Sequence, residues 1–185
     1  MARQTNGTNQ SLQSASALIL SGTSILSVSW WMWWDAFAND SDMVLESASY
    51  ATGADGTVTW DVIPNGAGGF INIRDKGTGG EDLFFTRPSA AAWHHYLITM
   101  DLTQTQGIRA AYVDGSSSGL SVQFVANNTG PFDDRVLHVM SRDNASFFAA
   151  GRIAELAIWS SQLNATNATD LASGVLPPSV SSGTL

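Results

Sequence analysis

Trp93-His-His-Tyr-Leu-Ile-Thr-Met-Asp101, a short polar turn, and Ile108-Arg-Ala-Ala-Tyr-Val-Asp-Gly115 form the stretch that decides the fold. Trp93, His95, Leu97 and Thr99 fall on one side of a pleat, and His94, Tyr96, Ile98 and Met100 fall on the other. Both sides are largely apolar, the pattern of a strand covered on both faces and therefore central in its sheet. Residues 101–107 supply the reversal, and Asp114-Gly115 ends the return strand with a pair that tolerates positive φ. The stretch reads as one hairpin.

Around it the chain reads as all-β. Met43 to Ser47, Thr57 to Ile63, Phe70 to Arg74, Asp82 to Arg87, Leu120 to Ala126 and Val136 to Met140 are short apolar runs. The reversals Gly53-Ala-Asp-Gly56, Pro64 to Gly69 and Lys76 to Gly80 are glycine-rich. None of these loops precedes a helical pattern, which a phosphate-binding loop requires. Ala17 to Trp34 carries no charge, but Ser21-Gly22-Thr23-Ser24 interrupts it, so two strands and a turn are predicted rather than a membrane span. The closing strand, Gly151 to Trp159, alternates imperfectly around Ala154-Glu155 and predicts a bulge. Ala165, Ala168, Leu171 and Ala172 repeat at helical spacing behind a capping Asn164, with Gly174 at the position of a left-handed cap. The expected architecture is a two-sheet antiparallel jelly-roll sandwich with one short C-terminal helix, over residues 1–175. A flexible or attachment tail, 176–185, is expected to stay off the core.

Trp-His-His followed after a hairpin by Tyr-Val-Asp-Gly resembles the signature of laminin-G-like, concanavalin-A-like jelly rolls. Leu26-Ser-Val-Ser-Trp-Trp-Met resembles the early strand of that family, with Trp31 at its tryptophan, and Gly151 to Trp159 with the helix resembles its closing elements. Where the family usually has an aromatic residue before Asn-Gly-Thr, this chain has Thr5, which predicts a more loosely packed first strand. The resemblance implies a fold shared by lectins, glycanases, adhesion modules and virion proteins, and chooses none of these functions.

Composition narrows the choice. The 185 residues suffice for one domain burying roughly 70% of its unfolded surface. Cysteine is absent, which excludes disulfides, zinc-thiolate sites and a thiol nucleophile. With Lys76 and seven arginines against sixteen acids, the net charge of −8 disfavours nucleic acid and anionic membranes as partners, and no membrane insertion is expected. The first sixteen residues lack the charged start and apolar core of a secretion signal, so synthesis in the cytoplasm without export is expected.

The candidate sites are few. Glu46, Glu81 and Glu155 do not form the paired carboxylates of a glycanase strand, so no catalytic residue is assigned and the protein is read as a non-enzyme. His94 and His95 point to opposite faces and are read as core-edge histidines satisfied by hydrogen bonds; His138 stands alone in the sequence. Of the early tryptophans, Trp33 is the exposed exception, beside the polar loop that holds Asp40 and Asp42. These three are the candidate ligand-binding residues. No cofactor or metal is assigned: Asp40 and Asp42, or Asp133 and Asp134, offer oxygens for calcium but lack the ligand spacing of a calcium loop, and solvated acidic loops are preferred.

Two functions fit. The favoured one is a non-catalytic virion surface protein, a capsid decoration or fibre-type component with a capsid or neighbouring structural protein as partner, contacting host glycans. The alternative is a carbohydrate-binding lectin module of a cellular protein. Homo-oligomerisation is compatible with either, though no residue pattern specifies it.

Overall fold

A computed structural model describes residues 2–35, 42–47, 59–65, 70–76, 81–86, 88–104, 108–119, 121–125 and 131–180. Its strands are β1 (Arg3–Asn6), β2 (Leu12–Gln13), β3 (Ile25–Trp34), β4 (Leu45–Ser47), β5 (Thr59–Asn65), β6 (Phe70–Lys76) and β7 (Glu81–Thr86). They continue with β8 (Trp93–Asp101), β9 (Ile108–Val113), β10 (Ser116–Ser118), β11 (Ser121–Val125), β12 (His138–Val139) and β13 (Ala150–Trp159), followed by helix α1 (Ala165–Ala172). One sheet runs β1-β13-β3-β8-β9-β10 and the other β11-β7-β6-β5-β4-β12-β2, with antiparallel pairing throughout. This is the expected two-sheet sandwich with its C-terminal helix.

The central hairpin holds. β8 lies between β3 and β9, and Asp114 and Gly115 turn at φ 51° and 78° into β10. Pleating divides β3 cleanly: Leu26, Val28, Trp30, Met32 and Trp34 are buried in the main core with Tyr96, Ile98 and Met100. Trp30 stacks on Tyr96 at 5.2 Å between ring centres. The odd residues Ser27, Ser29, Trp31 and Trp33 therefore face away from the opposing sheet. The expected bulge in β13 is present, with a register shift between Ala154 and Ala157 and Glu155 at φ 51°.

Three expectations are corrected. The stretch 17–34 holds one strand and an isolated bridge from Leu18 to Arg135, because Asp134 rather than a second strand satisfies the backbone at Leu20 and Ser21. The first strand is not loose at Thr5, which is buried and donates from Oγ1 to the Ala149 carbonyl at 2.7 Å, a bond that no aromatic ring at this position supplies.

The third correction concerns the C-terminal segment. Asn164 and Asn167 cap α1 reciprocally, and Gly174 takes the left-handed conformation at φ 95°. The helix lays Ala168 and Leu171 over Leu97 and Tyr112 on the outer face of the six-stranded sheet. Ser27 Oγ, donating to Ser161 O and accepting from Leu163 N, ties the helix approach to β3. A 3₁₀ turn at Pro177–Ser179 then returns Val180 into this second cluster, so the chain packs on the sheet as far as Val180 and does not leave the core at 175. Residues 181–185 lie outside the described residues. Truncation after Gly174 is expected to remove about 1.5 kcal/mol of burial, lowering Tm by roughly 3–6 °C. An unchanged Tm on calorimetry would show that the cluster closes without Val180.

Candidate functional site

The helix covers one end of the six-stranded sheet's outer face, and four residues gather at the other end. Register pairs Trp33 with Trp93 on one side and with Arg152 on the other, at the ends of β3, β8 and β13. The two indoles meet edge-on, with ring centres 6.2 Å apart and planes at 64°. The Arg152 guanidinium lies 5.1 Å above the Trp33 ring, and its Nη2 is 3.7 Å from Asp35 Oδ1. Asp35 lies two residues beyond Trp33 and so falls on the same face. Trp93 is 36% exposed, and the side chains of Arg152 and Asp35 are 36% and 39% exposed. An accessible indole, a stacked cation and a carboxylate thus share one small surface, able to pack an apolar ring face and to exchange hydrogen bonds at its edge.

One turn of pleat inward, the surface closes. Trp31 packs on His95 at 5.4 Å, and His95 Nε2 meets Ser29 Oγ at 2.8 Å. His95 is 1% exposed, and burial pushes its pKa down to about 4, against a smaller upward pull from Asp114. The imidazole is neutral at pH 7. Asp114 joins the two histidines: it accepts the His95 backbone N–H at 2.9 Å and lies 2.7 Å from His94 Nδ1. The expectation that both histidines are satisfied by hydrogen bonds is met at one ring nitrogen of each, while His94 Nε2 and His95 Nδ1 are buried without a hydrogen-bond partner among the described residues.

A folded-state pKa below the unfolded value near 6.5 means that the unfolded chain binds the extra proton as pH falls. The His95 contribution is therefore intact above pH 6.5 and lost progressively down to about pH 4, by roughly 3 kcal/mol. Urea titrations of native protein and His95→Gln between pH 7 and 4 should show a shallower loss in the variant; parallel profiles would contradict the assignment. Asp134 acts in a lower window. Hydrogen bonds from the Ser21 and Leu20 backbones hold its carboxyl below the usual range, so its contribution disappears only below pH 3.8.

The other candidate residues are dispersed. Trp33 joins the surface above. Asp42 is buried in the segment leading into β4, in the opposite sheet, and Asp40 lies outside the described residues. The second pair of candidate calcium oxygens is engaged by protein groups: Asp134 by Leu20 and Ser21, and Asp133 by Arg135 at 2.5 Å. Among the described residues no group of three ligating side chains could hold a metal ion.

Glu46 is fully buried. It accepts from Arg142 Nε at 3.1 Å and from the Asp143 backbone at 2.8 Å, while Arg142 lies 4.5 Å over the Phe147 ring. His138, isolated in the sequence, stands opposite Glu46 and has Nε2 3.4 Å from Asp143 Oδ1. This network holds a loop in which Met140, Asp143, Asn144 and Phe147 all have positive φ. Glu155, the other described glutamate side chain, sits exposed on the bulge of the opposite sheet, beside a cleft of about 340 Å³ floored by Leu137, Val139 and Ile153. Glu46 and Glu155 therefore belong to different sheets, and Glu46 does not line the cleft beside Glu155.

Sequence reading missed Arg152, Asp35 and Trp93 as partners of Trp33. Trp93 was visible as the first residue of the hairpin strand, but Arg152 joins only through strand pairing across more than a hundred residues.

A family model described as the concanavalin A-like lectin/glucanases superfamily matches residues 6–168. The chain belongs to this superfamily. Among solved structures, domain 4 of AbnA, an extracellular arabinanase from Geobacillus stearothermophilus solved with arabinotriose, superposes with a TM-score of 0.67 at 18% identity, over 92% of this chain and 76% of that one. The native heptameric SAP-like pentraxin from Limulus polyphemus gives 0.65 at 11% identity, over 92% and 80%. The binding domain of botulinum neurotoxin serotype G gives 0.65 at 15% identity, over 91% of this chain but 41% of that one. At these identities the likeness concerns the fold. No curated protein matches in sequence. The superfamily assignment agrees with the resemblance carried by the Trp-His-His and Tyr-Val-Asp-Gly segments.

Proposed function

We propose that the chain is a non-catalytic, glycan-contacting sandwich displayed on a virion surface, with a capsid or neighbouring structural protein as its attachment partner. The observation that carries the binding role is the end of the six-stranded sheet left uncovered by the helix, where Trp33, Trp93, Arg152 and Asp35 converge among the described residues. A sugar ring offers a C–H face to an indole and hydroxyls to charged edges, and this surface supplies both complements. Absence of catalysis is supported by Glu46, whose carboxylate is buried against Arg142, and by its separation from Glu155 on the other sheet. The virion setting is supported by the lack of thiols and by an acidic charge that keeps densely arrayed copies soluble.

Two measurements test the reading. On a glycan array the purified protein is expected to be retained, and incubation with the retained glycan is expected to release no product. Turnover that disappears on replacing Glu46 or Glu155 would overturn the non-catalytic role. Mass spectrometry of purified particles is expected to detect the chain. Its absence from particles, with glycan retention intact, would favour the lectin of a cellular protein.

A further inference from the structure

From the charge arrangement beside Trp93, and resting on the glycan-contacting role above, we infer that this surface takes an uncharged saccharide unit, held by a pair of neighbouring hydroxyls between Asp35 and Arg152. The argument begins with local charge. Asp35 and Arg152 carry opposite charges 3.7 Å apart, so this pair has no net charge to offer an acidic sugar. A carboxylated ring that binds Arg152 is brought near the Asp35 carboxylate, 3.7 Å from the guanidinium, within a protein of net charge −8. Neighbouring hydroxyls suit the pair: one donates to the Asp35 carboxylate while the other accepts from the Arg152 guanidinium.

The geometry leaves room for this. At 3.7 Å the two groups are beyond the ordinary hydrogen-bond length, and both side chains are more than a third exposed, so little is lost when hydroxyls come between them. The stack on Trp33 restrains the guanidinium and lowers the entropic cost of fixing it. Trp93, set edge-on to Trp33, presents the accessible indole on which the ring's C–H face packs.

Affinity electrophoresis of the full chain tests the assignment, using neutral arabinan, galactan and β-glucan, the acidic polymers polygalacturonate and alginate, and a periodate-treated sample of each neutral polymer. At least one neutral polymer is expected to retard the protein and the acidic polymers are not. Periodate cleavage of vicinal diols is expected to abolish the retardation. Asp35→Asn, nearly isosteric, and Arg152→Met are each expected to weaken it by about tenfold or more, and Trp93→Ala to remove it, with melting temperatures reported for all three. Retardation by acidic polymers alone, strengthened in Asp35→Asn, would overturn the neutral-diol assignment while leaving glycan contact standing. Retardation by a neutral polymer that survives both periodate and Asp35→Asn would also overturn it. Retardation by none of the polymers, with no retention on the glycan array, would overturn the glycan-contacting role as well.

Discussion

Replacing Gly151 with alanine is expected to be among the most damaging single changes in this chain. Gly151 lies in β13 at φ 157°, in register with Trp34 on one side and Thr5 on the other, where the six-stranded sheet packs two strands against one backbone. A Cβ at this position would stand 2.3 Å from the Trp33 carbonyl oxygen and 3.2 Å from the Met32 methyl. The first contact is with backbone fixed by strand pairing on both sides, so β13 must move away from β3. Movement there breaks the ladder beside the fully buried Met32 and Trp34 and displaces Arg152 from Trp33. The expected loss is about 4 kcal/mol, a fall in Tm on the order of 10 °C, and glycan retention should fall with it. Calorimetry decides: a variant melting within two degrees of the native protein would mean that the strands separate at little cost. Gly22, where an added Cβ meets nothing within 4 Å, is the matched control and should accept alanine with little change.

Glu46→Ala is expected to cost as much for an electrostatic reason. The carboxylate has no exposure and faces Arg142 Nε and the Asp143 N–H. Its removal leaves a largely buried guanidinium and a backbone donor without these acceptors, a loss of about 3–5 kcal/mol. The loop it secures contains Met140, Asp143, Asn144 and Phe147 at positive φ, conformations that side-chain-bearing residues hold only when the surroundings impose them. Proteolytic nicking within 142–147 should therefore accompany the fall in Tm. Glu46→Gln keeps an acceptor and removes the charge, so it should lie between. A native-like Tm and intact loop in Glu46→Ala would contradict the role given to this network.

The fold was legible because its decisive signals are local. Alternation in residues 93–101 and the Asp-Gly pair at 114–115 specify the hairpin, and Asn164 with helical spacing specifies α1, each within a dozen residues. Even the β13 bulge could be read from Ala154-Glu155. What escaped depends on register between distant segments. Asn-Gly-Thr behind Thr5 gave no sign that a hydroxyl would bond to Ala149, 144 residues away. Polar, proline-containing sequence after 175 reads as tail, yet Val180 finds the apolar surface left beside α1.

The site was legible only in part, for the same reason. Trp33 could be singled out because it ends an apolar strand beside polar sequence. Its neighbours Trp93 and Arg152 come from strands far away in the chain, and Asp35 gains meaning only once Arg152 is placed above Trp33. Asp42 looked available because acidic loops usually face solvent; instead it is buried where the chain crosses to the other sheet. His138 and Glu46, unremarkable in sequence, become neighbours through the pairing of β12 with β4.

The central claim is that the end of the six-stranded sheet away from the helix binds sugar through Trp93. Its most direct test is a fluorescence titration of native protein and Trp93→Ala with a glycan retained on the array, both proteins first shown to melt alike. Saturable change in the native protein and none in the variant is the predicted result. Equal titration of the two proteins would place the sugar elsewhere and contradict the account.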